Sequence, residues 1–169
     1  MRYMPIFIDL EAKPVLIVGA GPVALRRARQ LLDVGARVTV IAPSVIAEFR
    51  ELVGIELIER PVQIDDISAD YHLVIIATDN HDVNAMISDE CSDKGILCNR
   101  CDDFAEGSFV CGNTLRHGPL ICATMAGGVP EIAKYLNRKI DGLMSPALIE
   151  LASLLVELRP VLKRARPGQ

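Results

Sequence analysis

The sequence has no tryptophan and only 4% aromatic residues, so the core of this protein has to be built from aliphatic side chains, as in parallel α/β sheets. It also has no apolar run of the ~18 residues that a membrane span needs. Its first residues carry acids where a signal peptide would have a long apolar region. We therefore expect no membrane segment and no signal peptide.

The sequence also lacks an excess of positive charge. Its 18 Lys and Arg are outnumbered by 22 Asp and Glu, the net charge is −4 over 169 residues, and the basic residues form no long block. Nucleic-acid binding needs a cationic face that can neutralise phosphates, so this class of function is disfavoured. A small anionic ligand remains possible wherever basic side chains cluster locally.

Cysteine occurs five times, an odd number, and a chain of this length needs no disulfides to stabilise its core. Free thiols and a reducing, cytoplasmic location are therefore expected. Cys98 and Cys101 form a Cys-x-x-Cys, but residues three apart in a strand point to opposite faces. A zinc site also needs about four ligands, so we predict no metal site and interpret the two cysteines as packing residues.

Strand and helix patterns alternate over the first ~100 residues. Strands are predicted at PVLIVGAG, ARVTVIAP, IELIER, YHLVIIATD and ILCNRC, and helices at PVALRRARQLLDVG, VIAEFREL and DVNAMISDECSDKG. This order predicts an α/β fold with a Rossmann-type, doubly wound parallel sheet. The strand IELIER is the most polar and is expected near an edge. On the first helix, the apolar side comprises Val23, Ala24, Ala28, Leu31 and Leu32.

The pattern changes after Asp103. SFVCGNTLRHGPLICATM predicts an antiparallel hairpin that turns at residues 116–118. A helix begins at Pro130 and carries an apolar stripe of Ile132, Ala133, Leu136 and Ile140. A last helix has Ser145 as its N-cap, and Pro160 is expected to kink or end it.

Three segments follow from these patterns: an α/β domain over residues 1–112, a small α+β segment over 113–144 and a helical tail over 145–169. The part beyond residue 112 is too small to fold alone. It is therefore expected to pack on the first domain or on a partner chain.

The stretch GAGPVA follows a strand and opens a helix, which is the context that a dinucleotide fingerprint requires. Gly19 permits the tight turn, Gly21 lets the backbone approach a pyrophosphate, and Ala24 allows close packing of helix and strand. The helix N-terminus then faces the anion. A tight turn with no ligand is the alternative interpretation.

The acid that usually binds the ribose at the end of the second strand is absent. VTVIAPS places Pro43 and Ser44 there, and the Ser44 hydroxyl can bond to a ribose hydroxyl. Arg26 and Arg27 would suit a 2′-phosphate, but arginines at these helical positions are more often at the surface. NAD is therefore favoured over NADP.

Polar residues also follow the fourth strand, at ATDN. Ligands of open α/β sheets bind at the carboxyl ends of the strands. Ala77 would keep the wall close to a nicotinamide, and Thr78 and Asp79 could make polar contacts. The alternative, a helix N-cap at Asp79 or Asn80, is compatible with the first interpretation.

The fifth strand ends at Asn99, beside the expected nicotinamide, and Asp102 and Asp103 follow in the loop. A carboxylate at this place can take a proton while a hydride leaves the substrate for NAD. A solvated loop acid or a capping residue is the alternative. The sequence pattern does not decide between the two aspartates.

Four stretches together resemble the precorrin-2 dehydrogenase family, which includes the N-terminal module of siroheme synthase. They cover residues 4 to about 140 in order and spacing: MPIFIDLEAKPVLIVGAGPVALRRARQLLDVGARVTVIAP, ATDNHDVN, CNRCDDFAEGSF and GPLICATMAGGVPEIAKYLNRKI. The resemblance implies an NAD-binding Rossmann domain, an antiparallel segment that builds an intertwined homodimer, and a helical tail. Where many relatives have serines before the Gly-Gly turn, this sequence has Met125 and Ala126.

The activity implied by the resemblance is oxidation of the tetrapyrrole precorrin-2 to sirohydrochlorin by hydride transfer to NAD, in siroheme biosynthesis. Some members also insert iron, so a combined dehydrogenase and ferrochelatase is an alternative. A nucleotide-sensing module without chemistry is another.

Among the site residues, the resemblance implies that Asp102 is the general base. It places cofactor contacts on the backbone of Pro22 and Val23 and on Pro43 and Ser44. Because precorrin-2 carries many carboxylates, a local positive lining is expected from Arg100, Arg116, His117, Lys134, Arg138 and Lys139. Arg116 and His117, together with the turn at Gly127 and Gly128, are the expected substrate side.

Overall fold

The computed structural model describes residues 3–103 and 105–165. The chain divides into two compact units between residues 110 and 111. Among the described residues, no helix has the length and apolar character to cross a bilayer. The predicted tail runs to residue 169, and residues 166–169 lie outside the described range.

The first unit is a five-stranded parallel sheet in the order β3-β2-β1-β4-β5. Its strands are β1 (Pro14–Val18), β2 (Arg37–Ile41), β3 (Ile55–Ile58), β4 (Leu73–Ile76) and β5 (Leu97–Arg100). Its helices are α1 (Pro22–Leu32), α2 (Ala47–Arg50) and α3 (His81–Asp93). The predicted Rossmann-type sheet is confirmed, and β3 lies at an edge as its polar sequence indicates.

The central strands β1 and β4 are buried along almost their whole length. A parallel sheet covered on both faces needs continuous apolar runs, which explains their sequences PVLIV and LVII. In the register of the sheet, Val18 is paired with Ile41 on β2 and with Ile76 on β4, and Ile76 is paired with Arg100 on β5. The carboxyl ends of these four strands therefore lie side by side.

Helix α1 packs with a face that differs slightly from the predicted one. Its buried residues are Ala24, Leu25, Ala28 and Leu31, whereas Val23 is exposed. Because a helix turns by about 100° per residue, Val23 falls outside the side formed by positions 24, 28 and 31, and Leu25 lies at its border. The prediction that Val23 faces the core was wrong.

The second unit contains the antiparallel strands β6 (Asn113–His117) and β7 (Leu120–Thr124) and the helices α4 (Pro130–Asp141) and α5 (Pro146–Ala165). Arg116 and His117 pair with Ile121 and Leu120, so they belong to β6 and not to the predicted turn. Gly118 has φ 56° and begins a two-residue turn, as short hairpins favour.

The hairpin also starts later than predicted, at Asn113 rather than at Ser108. The main-chain N–H groups of Ser108 and Phe109 donate to the Cys98 carbonyl, at 2.9 and 3.3 Å. These residues therefore follow the outer edge of β5 in the first unit. A free strand edge offers unpaired backbone groups, and this segment satisfies some of them.

Pro160 was predicted to kink or end helix α5. The helix continues through Pro160 to Ala165, so the second of these alternatives was wrong. A proline removes one backbone donor, and the carbonyl four residues earlier belongs to the exposed Val156, where water can bond to it. The predicted cap is present, since the Leu148 N–H donates to Ser145 Oγ at 3.2 Å.

The apolar stripe predicted on α4 is mostly uncovered in this chain. Ala133 is buried, but Ile132 and Leu136 are about half exposed. In the second unit, Ala133 is the only hydrophobic residue among those described that is buried. Helix α5 exposes a further set of large apolar side chains: Leu148, Leu151, Leu154, Leu155, Val156, Leu158, Val161 and Leu162.

Candidate functional site

The glycine turn lies at the carboxyl end of β1. Gly19 has φ +107°, a conformation that L side chains rarely adopt, and its N–H donates to the Ile41 carbonyl at 2.9 Å. A Cβ on Gly19 would lie 2.7 Å from the carbonyl carbon of Ala77. The position therefore admits only glycine, and the turn passes directly against the end of β4.

Gly21 has a different reason to be glycine. Its φ of −89° suits any residue, and a Cβ there would have no atom of residues 3–103 or 105–165 within 4 Å. The main chain of Gly21 thus borders open space on the side where a ligand can approach.

The N-terminus of α1 fits an anion. Within the described part of the chain no side chain caps it. No acidic residue lies in its first turn, and Pro22 occupies its first position. The first intrahelical bond runs from the Leu25 N–H to the Gly21 carbonyl, at 3.0 Å, which leaves the N–H groups of Val23 and Ala24 without helical partners. Together with the open space at Gly21, these groups fit the pyrophosphate of a dinucleotide.

The segment after β2 borders the same turn, because the Ile46 N–H donates to the Ala20 carbonyl at 3.3 Å. Pro43 and Ser44 are exposed there. The chain has no carboxylate at this strand end, so Ser44 is the polar side chain that a ribose would meet.

The two arginines of α1 do not join Ser44. Arg26 is exposed. Arg27 donates from Nη1 to Gln30 Oε1 at 2.9 Å and lies near Cys101, which follows β5. Since β2 and β5 lie on opposite sides of β1 in the sheet, Arg27 faces away from the place of a 2′-phosphate.

Thr78, which follows β4 and was predicted to contact the ligand, bonds to another side chain of the protein. Its Oγ1 donates to Asn84 Oδ1 at 2.5 Å, and Asn84 Nδ2 donates to the Thr78 carbonyl at 3.0 Å. Asn84 is fully buried. Ala77 is half-buried against the glycine turn, so this strand end forms a fixed wall of the site.

The N-cap of α3 is Asn80, one of the two predicted candidates. Its Oδ1 accepts from the main-chain N–H groups of Asp82 and Val83, each at 3.1 Å. Asp79, the other candidate, is exposed. The side chain of Asp79 thus remains open to a ligand, while Asn80 orients the first turn of the helix.

Asn99 on β5 is buried and bonds within the protein. Its Nδ2 donates to the Phe109 carbonyl at 3.0 Å, and its Oδ1 accepts from Cys101 Sγ at 3.5 Å. The Asn99 amide therefore links the segment around Phe109 to β5. In this arrangement the Asn99 side chain stabilises the protein around the site and does not face a coenzyme.

The Asp102 carboxylate contacts polar side chains at the carboxyl ends of two neighbouring strands. Arg100 donates from Nε to Asp102 Oδ1 at 3.1 Å and from Nη2 to Oδ2 at 2.7 Å. His81 Nδ1 lies 2.9 Å from the same Oδ2. The side chains of Asp102 and Arg100 are only 12% and 9% exposed, whereas that of His81 is 80% exposed.

The electrostatic environment keeps Asp102 ionised. The bond from Arg100 lowers the pKa of the Asp102 carboxyl far below its usual range, and hydrogen bonds from Asn84 and His81 add to it, against the opposing effect of burial. The same contact raises the pKa of Arg100. Such a carboxylate is negatively charged at any physiological pH, but it accepts a proton poorly.

Asp103 has a local structural role, since its Oδ1 accepts from the Ala105 N–H at 2.9 Å. The structure therefore separates the two aspartates that the sequence leaves equivalent. Asp103 caps a loop turn, whereas Asp102 forms an ion pair with the buried Arg100.

His81 and Asn84 are the partners of Asp102 that the sequence analysis missed. The sequence positions could have indicated the contact between His81 and Asp102. His81 follows β4, Asp102 follows β5, and the carboxyl ends of neighbouring parallel strands lie side by side. This inference also requires knowing that β4 and β5 are adjacent in the sheet, which the sequence pattern does not give. Arg100 was predicted as a lining charge and is instead a buried member of the ion pair.

The two sulfurs of the Cys-x-x-Cys have separate partners. Cys98 is buried, contacts the Cys91 thiol and lies 3.6 Å from Ser88 Oγ, whereas Cys101 bonds to Asn99. Within residues 3–103 and 105–165, no group of three or more His, Cys, Asp or Glu side chains is placed to hold a metal ion.

The predicted substrate residues belong to the second unit. Arg116 is exposed, and His117 Nε2 lies 2.7 Å from Asp141 Oδ1. Gly127 and Gly128 form an exposed turn before α4, with φ of 56° and 88°.

A cleft of about 450 Å³ lies between β6 and α4. Two of the predicted basic residues line it, Lys134 and Arg138, but so do the acids Glu131 and Asp141. The charge of this cleft is therefore mixed rather than positive.

The sequence model of a family described as putative NAD(P)-binding matches residues 6–113. Siroheme synthase 2 of Aeromonas salmonicida strain A449 is 37% identical over 97% of this chain and 34% of its own length. Siroheme synthase of Ectopseudomonas mendocina strain ymp is 37% identical over 99% of this chain and 36% of its own length. The chain thus spans about a third of the length of the curated relatives it matches.

A solved structure described as SirC, precorrin-2 dehydrogenase, superimposes with a TM-score of 0.81 at 25% sequence identity, and the match covers 96% of this chain and 81% of that one. The resemblance found in the sequence is thereby confirmed. The matched residues 6–113 include the glycine turn and the strand ends around it. This chain belongs to the putative NAD(P)-binding family.

Proposed function

We propose that this protein is an NAD-dependent precorrin-2 dehydrogenase that oxidises precorrin-2 to sirohydrochlorin. The observation that carries the proposal is its structural likeness, over 96% of the chain, to a protein described as precorrin-2 dehydrogenase. The open glycine turn supports it, because hydride removal from a carbon needs a bound acceptor. NAD supplies that acceptor when it occupies the turn at residues 19–23.

NAD fits the site better than NADP. The 2′-phosphate of NADP would lie near the end of β2, where Ser44 is exposed and Arg27 faces away towards Cys101. Pro43, Ser44, Ala77 and Asp79 border the expected path of the coenzyme, and Thr78 and Asn99 hold the wall behind it.

The second unit supports a homodimer. Its exposed apolar residues on α4 and α5 would remain in water in a monomer, which is costly for so many side chains. A second copy of this chain is the occupant that the resemblance implies. Reduced thiols and a dinucleotide coenzyme are consistent with a cytoplasmic location.

A combined dehydrogenase and ferrochelatase is the second candidate, favoured by the description of the relatives as siroheme synthases. This chain matches about a third of the length of those proteins, so the ferrochelatase step is a separate proposal with its own test. A module that only senses nucleotides would need the glycine turn but not the ion pair of Asp102.

The test is anaerobic incubation of the protein with precorrin-2 and NAD, with formation of NADH and sirohydrochlorin followed by absorbance. We expect one NADH for each sirohydrochlorin and a slower reaction with NADP. Absence of NADH formation would contradict the proposal. A parallel reaction of sirohydrochlorin with Fe²⁺, compared with the rate without protein, tests the ferrochelatase.

A further inference from the structure

We propose that His81 accepts the proton released during the dehydrogenation and that Asp102 is a positioning residue that orients the His81 ring. The inference rests on the proposed function and reassigns the base within it. It is carried by the contact between His81 Nδ1 and Asp102 Oδ2, at 2.9 Å, between the segments that follow β4 and β5.

The contact fixes which ring nitrogen is available. The carboxylate of Asp102 already accepts two bonds from Arg100 and is ionised, so it can only accept from the imidazole. Nδ1 of His81 therefore carries the hydrogen, and the lone pair is on Nε2. Because the His81 side chain is 80% exposed, Nε2 is open to a substrate.

Asp102 itself is poorly suited to take the proton. Its two oxygens are occupied by Arg100 and His81. Its side chain is 12% exposed, so a bulky tetrapyrrole has little access to it. A proton placed there would also break the ion pair with Arg100.

The imidazole meets the chemical requirement better. General bases work best when their proton affinity lies near the operating pH, and imidazole is the side chain that ordinarily exchanges a proton in that range. Asn80 caps the helix at whose first position His81 stands, which fixes the base of the side chain. Asp102 then holds the ring.

The step balances in atoms and charge. One carbon of precorrin-2 loses a hydrogen with its bonding electron pair to the nicotinamide, and a second hydrogen leaves the macrocycle as a proton. Nε2 of His81 takes that proton and becomes part of an imidazolium, which the Asp102 carboxylate stabilises. The exposed ring then releases the proton to water, and the products are sirohydrochlorin, NADH and H⁺.

Other charged groups lie near the pair. Asp102 and Arg100 contact each other, Asp103 and Glu106 act on Arg100 through space, and Asp79 and Asp82 are close to His81 along the chain.

The experiment compares three variants in NAD-dependent oxidation of precorrin-2. His81→Ala should lower kcat by on the order of 100-fold, leave the Kd of NAD unchanged, and recover part of its activity with added imidazole. The limb of the pH profile that reports the base should disappear. In Asp102→Asn the same limb should shift to lower pH, because the imidazolium loses its carboxylate. His72→Ala, an exposed histidine before β4, is the matched control and should behave as wild type.

A second measurement does not depend on turnover. The chain has three histidines, so nitrogen NMR can assign the His81 ring with the same variants. Neutral His81 should carry its hydrogen on Nδ1 in the wild type and shift towards the Nε2–H form in Asp102→Asn. A wild type without precorrin-2 oxidation would contradict the proposed function. The Nε2–H form in the wild type, or wild-type kcat and pH profile in His81→Ala, would overturn the assignment of His81.

Discussion

Gly19 lies directly against the main chain of Ala77, and a Cβ on Gly19 would be 2.7 Å from the Ala77 carbonyl carbon. Because Gly19 ends β1 and Ala77 ends β4, this close approach joins the two segments on either side of the coenzyme site. The glycine thus has a structural role that is separate from its role towards a ligand.

Gly19→Ala should destabilise the protein by at least ~2 kcal/mol, since the new methyl group meets backbone that cannot move aside and the residue has positive φ. Urea unfolding measures the effect. Gly142→Ala is the control, because Gly142 has φ −64° and a Cβ there makes ordinary contacts at 3.6 Å. A loss of stability that is equal in both variants would contradict the explanation.

Gly21→Asp should weaken NAD binding by ~100-fold or more, because a carboxylate would enter the open space where the pyrophosphate is expected. Isothermal titration gives the dissociation constant. Gly142→Asp, the control, adds the same charge in the second unit, at a glycine whose φ of −64° suits an L residue. An unchanged dissociation constant in Gly21→Asp would contradict the placement of the coenzyme.

Asp102→Asn should lose about 2 kcal/mol of stability at neutral pH, because Arg100 is left without its ionic partner. The folded protein lowers the pKa of Asp102, so the stabilisation is complete above the unfolded value of about 4 and is lost as the pH falls towards the lower native value. The difference in unfolding free energy between wild type and variant should therefore shrink below about pH 4.

Asp103→Asn is the neighbouring control for that measurement. An asparagine Oδ1 can still accept from the Ala105 N–H, so the stability of this variant should match the wild type at each pH. If the difference caused by Asp102→Asn were the same at every pH, the ion pair would not be its source.

Leu155→Glu should weaken self-association by at least ~10-fold, because burying an unpaired carboxylate in an apolar interface costs at least ~1.4 kcal/mol. Sedimentation velocity over a range of concentrations measures the dimer. Val53→Glu is the control, because Val53 is 88% exposed and belongs to the first unit. A wild type that stays monomeric at high concentration would contradict the proposed homodimer.

Much of the fold could be predicted because β1 and β4 are continuous apolar runs between turn residues, and such runs have few alternatives in a chain of this size. The position of residues 108–110 could not. Their sequence suits a hairpin strand, but their N–H groups bond to Cys98 on β5, and this choice depends on which strand edge is free in the folded sheet.

The coenzyme turn was predictable for a local reason, since Gly19 and Gly21 act through their own backbone. The surroundings of Asp102 were not, because Arg100, His81 and Asn84 come from two strand ends whose adjacency is a property of the sheet. Asn99 illustrates the same limit. Its position at a strand end suggested a ligand contact, but its amide bonds to Phe109.

The segment that returns along β5 also has a consequence for solubility. An open strand edge is a template on which other chains can add strands and aggregate. At β5 the Cys98 carbonyl is already occupied by Ser108 and Phe109, and at the other side of the sheet β3 is only four residues long. Both borders of the sheet thus offer little room for an incoming strand, which protects the protein from intermolecular β-sheet growth.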